Sequence, residues 1–438
     1  MLINFLSRHK LASENKWKEI PGAEELEHSF RINKAISLSI LLLVSLIDLV
    51  MICFFLVVQD PAFYLLGFFA IVISFFSFKK DYIVFFKRKK QRLDKIREKK
   101  IGNYTIDEIQ AIVKSIISRF QDKEVPKIYI VDEPMSGPYV IDTYLFNFVG
   151  PLNAIYLPKQ DLIFLKPDEL KAIIAHELGH FYRYMYPVQR FTYPFYLLVS
   201  LLPFILLPFV HRLVFAVILI AVNIGFNPIL FRLFNHKSKS LEYLCDLFAA
   251  KLCGKLNTIN ALLVSSKYSE LIELLEKKIL LEIKANDSLS IASFDQIFDK
   301  LIRIVPFQPD SIEDVDHILT HTLAKFDYKS FKVDLTEKEI MREEGIITKL
   351  LGQTELAIHR KILDWEKFDF VERNYRIEPQ EYDYLIKSLI ESEDFLVDSI
   401  TDDESDEITS THPSLRHRIL FLDKNIEALN TPGQFISI

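Results

Sequence analysis

The stretch Pro167-Asp168-Glu169-Leu170-Lys171-Ala172-Ile173-Ile174-Ala175-His176-Glu177-Leu178-Gly179-His180 decides how the rest of the chain is read. A proline and two carboxylates in the first turn mark a helix start. Apart from Gly179, no glycine or proline interrupts the run before Pro187. On a helix, positions four apart share one face. His176 and His180 are therefore spaced to present two imidazole nitrogens to one Zn²⁺ ion, and Glu177 beside them is placed to take a proton from a water held there. Gly179 lowers helix stability but lets another backbone approach closely. Taken alone, the run also reads as an ordinary helix that happens to carry two histidines.

A catalytic zinc needs three protein ligands and one open position. A third histidine six residues after His180 would supply one, but that position is Tyr186. The other source is a later helix. Residues 241–250, Leu-Glu-Tyr-Leu-Cys-Asp-Leu-Phe-Ala-Ala, have a helical pattern with Glu242 and Asp246 on one face. Glu242 would bind the metal, and Asp246 would accept a hydrogen bond from the far nitrogen of a ligand histidine, fixing its tautomer. The same pair standing alone reads as a solvated acidic face. Cys245 and Cys253 lack C-x-x-C spacing and read as packing residues.

Together these marks resemble the M48 peptidases, which include HtpX-like membrane proteases and CAAX prenyl proteases. A late stretch, Thr411-His412-Pro413-Ser414-Leu415-Arg416-His417-Arg418-Ile419, resembles that family's His-Pro-x(4)-Arg-Ile motif. By resemblance, His412 and Arg418 reach the active site and contact substrate or the developing oxyanion. Without the family, Thr-His-Pro is simply a helix start. Pro126–Asp132 and Asn153–Pro158 read as strands, the second feeding the zinc helix. The place of the family's substrate-receiving edge strand holds Gly137-Pro138-Tyr139-Val140-Ile141 instead of an Asn-Ala pair, so Asn153 is not assigned to substrate. The resemblance implies a mainly α, membrane-embedded protein with a small β-sheet, a gluzincin-type core and one Zn²⁺ per chain.

The chain has 438 residues, is 50% hydrophobic and carries a net charge of −6. Its three cysteines argue against a disulfide framework and fit a reducing compartment. Four hydrophobic segments read as membrane spans: Ala35–Val58, Pro61–Phe78 extended by Tyr82–Phe86, Thr192–Val210 and Leu213–Phe231, the last two also reading as buried core helices. Asp48 lies inside the first, and a carboxyl there should face protein or water rather than lipid. Residues 79–100 hold eleven Lys/Arg against three acids. Because this run abuts a hydrophobic segment, it reads as a juxtamembrane anchor on lipid and not as a nucleic-acid surface. The positive-inside rule puts the N-terminus and residues 79–190 in the cytoplasm, and the second hairpin returns residues 232–438 to the same side. A polar, charged N-terminal segment without a cleavage pattern is no signal peptide.

The expected organisation is a cytoplasmic segment 1–34, a first membrane hairpin 35–86, and the first part of the peptidase domain 87–190. A second hairpin 191–233, the second site helix 234–258, a helical insertion 259–390, an acidic loop 391–410 and the late motif 411–438 follow. Helices are expected at Ile259–Ile283, Ser293–Ile304, Ser311–Phe326 and Glu337–Leu363. His317 and His321, also four apart, have no acidic neighbour in the pattern and read as surface or packing residues. These marks point to an integral-membrane zinc metalloendopeptidase acting on membrane or misfolded polypeptides at the cytoplasmic face. The alternatives are a CAAX prenyl-protein endopeptidase, which would need more than four spans, and a non-catalytic zinc-binding membrane scaffold, which would not need Glu177.

Overall fold

A computed structural model describes residues 20–58, 90–119, 126–132, 139–142, 153–186, 238–286, 288–305, 315–331, 343–351, 376–391 and 413–426. Within them a four-stranded sheet lies beside a mass of helices. The strands are β1 (Lys90–Arg92), β4 (Lys127–Val131), β5 (Tyr139–Asp142) and β6 (Asn153–Pro158), in the order β1-β4-β6-β5. β2 (Lys100–Ile101) and β3 (Tyr104–Thr105) form a separate small hairpin. β4 and β6 run parallel, whereas β5 pairs antiparallel with β6, Tyr139 opposite Tyr156 and Asp142 opposite Asn153. The two strands expected from sequence are thus β4 and β6. The edge position beside the first site helix belongs to β5, inside the stretch where no Asn-Ala pair was found.

Helix α1 spans Ala23–Val58 and starts twelve residues before the apolar segment expected to cross the membrane. Its residues 23–50 are long and apolar enough to cross a bilayer, with mean hydropathy 1.9. Leu42, Leu43, Leu46, Leu49 and Val50 are each more than half exposed, while Ser37, Val44 and Asp48 form a buried stripe at spacings of seven and four. Asp48, 2% exposed, therefore lies off the apolar outer face, as expected of a mid-span carboxyl. The other three expected spans lie outside the described residues.

α2 (Ile106–Ile117) buries Ile109, Val113, Ile116 and Ile117, one stripe of a 3.6-residue period. Its start is fixed by a reciprocal cap: Glu108 N donates to Thr105 Oγ1, and Thr105 N donates to the Glu108 carboxylate. The chain passes from β6 through a single turn, α3 (Asp161–Phe164), into α4 (Pro167–Tyr182), which carries the two histidines. α4 stops four residues before the position at which Pro187 would have ended it. The carbonyl of Gly179 takes both Arg183 N and Tyr184 N, closing the last turn.

α5 (Ser238–Cys253) is the second site helix. It ends before residue 258, the end expected from sequence, because Gly254, at φ +92°, breaks it from α6 (Lys255–Ala285). After it come α6, α7 (Phe294–Ile304), α8 (Val315–Ala324), a helical stretch at 343–351 and α9 (Tyr382–Glu391). The last helix is α10 (Leu415–Ile426). Helices at 259–283, 293–304 and 311–326 were expected and are present with altered ends. His317 and His321 are both exposed on α8.

α4 lies at the centre, packed by α2 and β5 and flanked by α5 and α6. Three clamps fix its start. Glu169 accepts from Lys166 N at 2.9 Å, and Tyr104 Oη donates to Leu165 O at 2.6 Å. Arg376 donates to both oxygens of Glu169, at 2.6 and 3.0 Å, and to Phe164 O at 2.7 Å. Arg376 and Glu169 are 6% and 3% exposed, so neither charge can turn to water if its partner is lost. Arg303 instead holds Asp132 at the end of β4 from an exposed position. Arg376→Ala is expected to cost roughly 3–5 kcal/mol by denaturant unfolding in detergent. Arg303→Ala should cost less than about 1 kcal/mol in the same assay. Equal losses from the two would contradict this ranking.

Candidate metal centre

His176 and His180 lie one turn apart on α4, their rings edge to face with centroids 4.9 Å apart. Their Nε2 atoms approach to 3.2 Å. From α5, Glu242 places Oε2 3.2 Å from His176 Nε2 and Oε1 3.1 Å from His180 Nε2. One potential ligand atom from each of the three residues lies within 4.8 Å of the others, and the group could hold a metal ion. The donor set fits one. A tetrahedral ion with bonds of about 2.0–2.1 Å separates its ligands by roughly 3.3–3.4 Å, close to these spacings.

Behind the cluster, Asp246 accepts from His176 Nδ1 at 2.8 Å, leaving Nε2 to face Glu242. Asp246 is 1% exposed. Its charge is held by Arg418 of α10, whose Nε donates to Oδ2 and whose Nη2 donates to Oδ1, both at 2.6 Å. Burial alone would raise the Asp246 pKa, but Arg418 and His176 overcome it and hold the carboxyl below its usual range. Burial likewise disfavours a charged His176, yet Asp246 and Glu242 win and raise its pKa to about 10.

Glu177 follows His176 on the half-buried side of α4, and its negative charge is felt at Asp161, Cys245 and Arg418. His412 lies outside the described residues. Arg418, expected by resemblance near substrate, commits two of its donors to Asp246. No local pattern announces that contact, because the two residues stand 172 apart in sequence. The late motif does begin a helix: Ser414 Oγ accepts from His417 N at 3.4 Å, just ahead of α10.

α4 and α5 can bring these groups together because Gly179 faces α5. A methyl group there would sit 3.2 Å from Cys245 Sγ and 3.4 Å from Phe248 Cδ1. Cys245 is fully buried, and burial first, then Glu242, Asp246 and Glu177, push its thiol pKa well up. It is a protonated packing group, as its spacing suggested. The sequence anticipated a close approach at Gly179; the approaching atoms are side chains rather than backbone.

The family model for Peptidase family M48 matches residues 105–426, and the chain belongs to that family. Membership makes it a metallopeptidase by family. No curated protein and no solved structure gave a match.

Gly179→Val is expected to spread α4 from α5 and weaken metal binding. Gly179→Ala should do so mildly, and Cys245→Ala should restore it in the double variant by making room. The check is metal affinity by chelator competition, and additive effects of the two changes would show that the helices do not meet there.

Proposed function

We propose that the chain is an HtpX-like integral-membrane metalloendopeptidase that uses Zn²⁺ to cut membrane or misfolded polypeptides at the cytoplasmic face. The observation that carries the reading is the meeting of His176, His180 and Glu242 within one ligand-sized volume, with Asp246 on the far nitrogen of His176. In this reading His176, His180 and Glu242 hold the ion, and Asp246 fixes the tautomer of His176. When bound, the ion supplies Lewis acidity, easing deprotonation of water and polarising the scissile carbonyl.

Glu177 takes the proton from the attacking water and passes it to the leaving amine. His412 and Arg418 stabilise negative charge on the carbonyl oxygen, Arg418 with only the donors that Asp246 does not take. β5 supports an extended substrate: it is an edge strand beside α4, and among the described residues no strand pairs with its outer side. The exposed apolar face of α1 supports membrane insertion. The multi-pass topology and cytoplasmic orientation rest on the hydrophobic segments and the basic run at 79–100.

Glu177→Ala is expected to retain one zinc per chain while peptide cleavage falls by roughly 10²–10⁴-fold. Glu242→Ala is expected to lose zinc. Metal analysis of the two purified proteins, alongside a fluorogenic peptide assay, separates the roles. Full cleavage by Glu177→Ala would remove it as the base and point to another mechanism. Full zinc occupancy in Glu242→Ala would move the third ligand elsewhere.

A further inference from the structure

We propose that the inner two turns of α1 are a working part of the metal site and that Asn425 is the positioning residue linking them to it. The proposal rests on the metallopeptidase reading above.

The first N–H groups of a helix have no partner within it, and a nearby side chain usually caps one of them. α1 is preceded by Gly22, which has no side chain to offer. Its first amide, Ala23 N, instead donates to Asn425 Oδ1 at 2.7 Å, across 402 residues of sequence. The same amide side chain donates to Pro21 O at 3.3 Å and to Phe421 O at 2.9 Å. Lys424 adds a bond to Ile20 O. Asn425 is 4% exposed, so Ala23 N has no water to turn to if this acceptor is removed.

Asn425 stands seven residues after Arg418 on α10, two turns along one face and about 10 Å away. Between them Phe421 is fully buried and packs its ring on Tyr243, the neighbour of Glu242, with centroids 4.7 Å apart. One short helix thus joins the tip of α1 to the guanidinium that holds Asp246.

A second link runs to the other side of the site. Glu27, one turn into α1, accepts from Arg183 Nη2 and Tyr184 Oη, each at 3.3 Å. These residues close α4 directly after His180. Phe30 packs against Tyr184 and Tyr186, with ring centroids 5.5 and 5.3 Å away. Ala23, Leu26 and Phe30 are buried, and the same rod then continues into its exposed apolar length. A shift of α1 therefore reaches both the support of Asp246 and the end of the helix bearing both histidines.

The test uses the full chain in detergent micelles, with three readouts: amide hydrogen exchange at residues 23–27, Zn²⁺ affinity by chelator competition, and peptide cleavage. Asn425→Leu is expected to speed exchange at 23–27, weaken zinc about tenfold and lower kcat with little change in KM. Asn425→Asp keeps an acceptor for Ala23 N but loses the donors to Pro21 O and Phe421 O, so it should recover only part of the loss in all three readouts. Arg303→Ala, which releases Asp132 at the end of β4, should lower stability slightly yet leave zinc affinity intact. Should Asn425→Leu fold poorly, Glu27→Leu cuts the other link and carries the same expectation. Faster exchange at 23–27 with unchanged zinc affinity would overturn the proposal, as would unchanged exchange. Wild-type protein that binds no zinc would instead sink the metallopeptidase reading, while the exchange arm would still report on the link from Asn425 to α1.

Discussion

The geometry of the site depends on one buried carboxylate. Asp246 takes a hydrogen bond from His176 and two from Arg418, and almost none of it is exposed to water. A buried anion is costly unless paired, and here two cation-capable groups pair it. Because Asp246 stays ionised, it fixes the tautomer and rotation of His176, so that Nε2 points toward Glu242 and His180. The field that holds Asp246 charged therefore also aims the ligand set.

The fold delivers that carboxylate and the groups around it from three helices. α4 brings the histidines, α5 brings Glu242 and Asp246, and α10 brings Arg418. α4 and α5 pack tightly beside residue 179, where a Cβ would meet Cys245 Sγ at 3.2 Å and Phe248 Cδ1 at 3.4 Å. The start of α4 is clamped by Arg376 and Glu169, a pair with no access to solvent. The edge strand β5 lies along the same helix. Together these features bring a cluster that could hold a metal and, among the described residues, an edge strand to the same helix.

Several of these elements are visible in sequence, for one reason. A helix repeats every 3.6 residues, so groups four apart must share a face wherever the helix goes. That locates His176 with His180 and Glu242 with Asp246. Period-two and apolar runs likewise reveal β4 and β6, and the exposed leucines of α1 follow from its hydropathy. The ends of elements are less legible. α4 stops at Tyr182 and not at Pro187 because the Gly179 carbonyl gathers two amides, and α5 stops where Gly254 adopts a positive φ. The place of the edge strand was legible, since β5, Tyr139–Asp142, overlaps the expected Gly137–Ile141, but with no Asn-Ala pair there the sequence assigned it no substrate contact.

The chain by itself determined the local chemistry: which residue types occur at metal-ligand spacing, and which long apolar helix could enter a bilayer. Only the tertiary structure decided how those pieces meet. Asp246 lies 70 residues from His176 and 172 from Arg418, and Asn425 lies 402 from the amide it caps. Contacts over such separations leave no periodic trace, because they are set by how rigid helices pack and by where each buried charge or amide finds a partner.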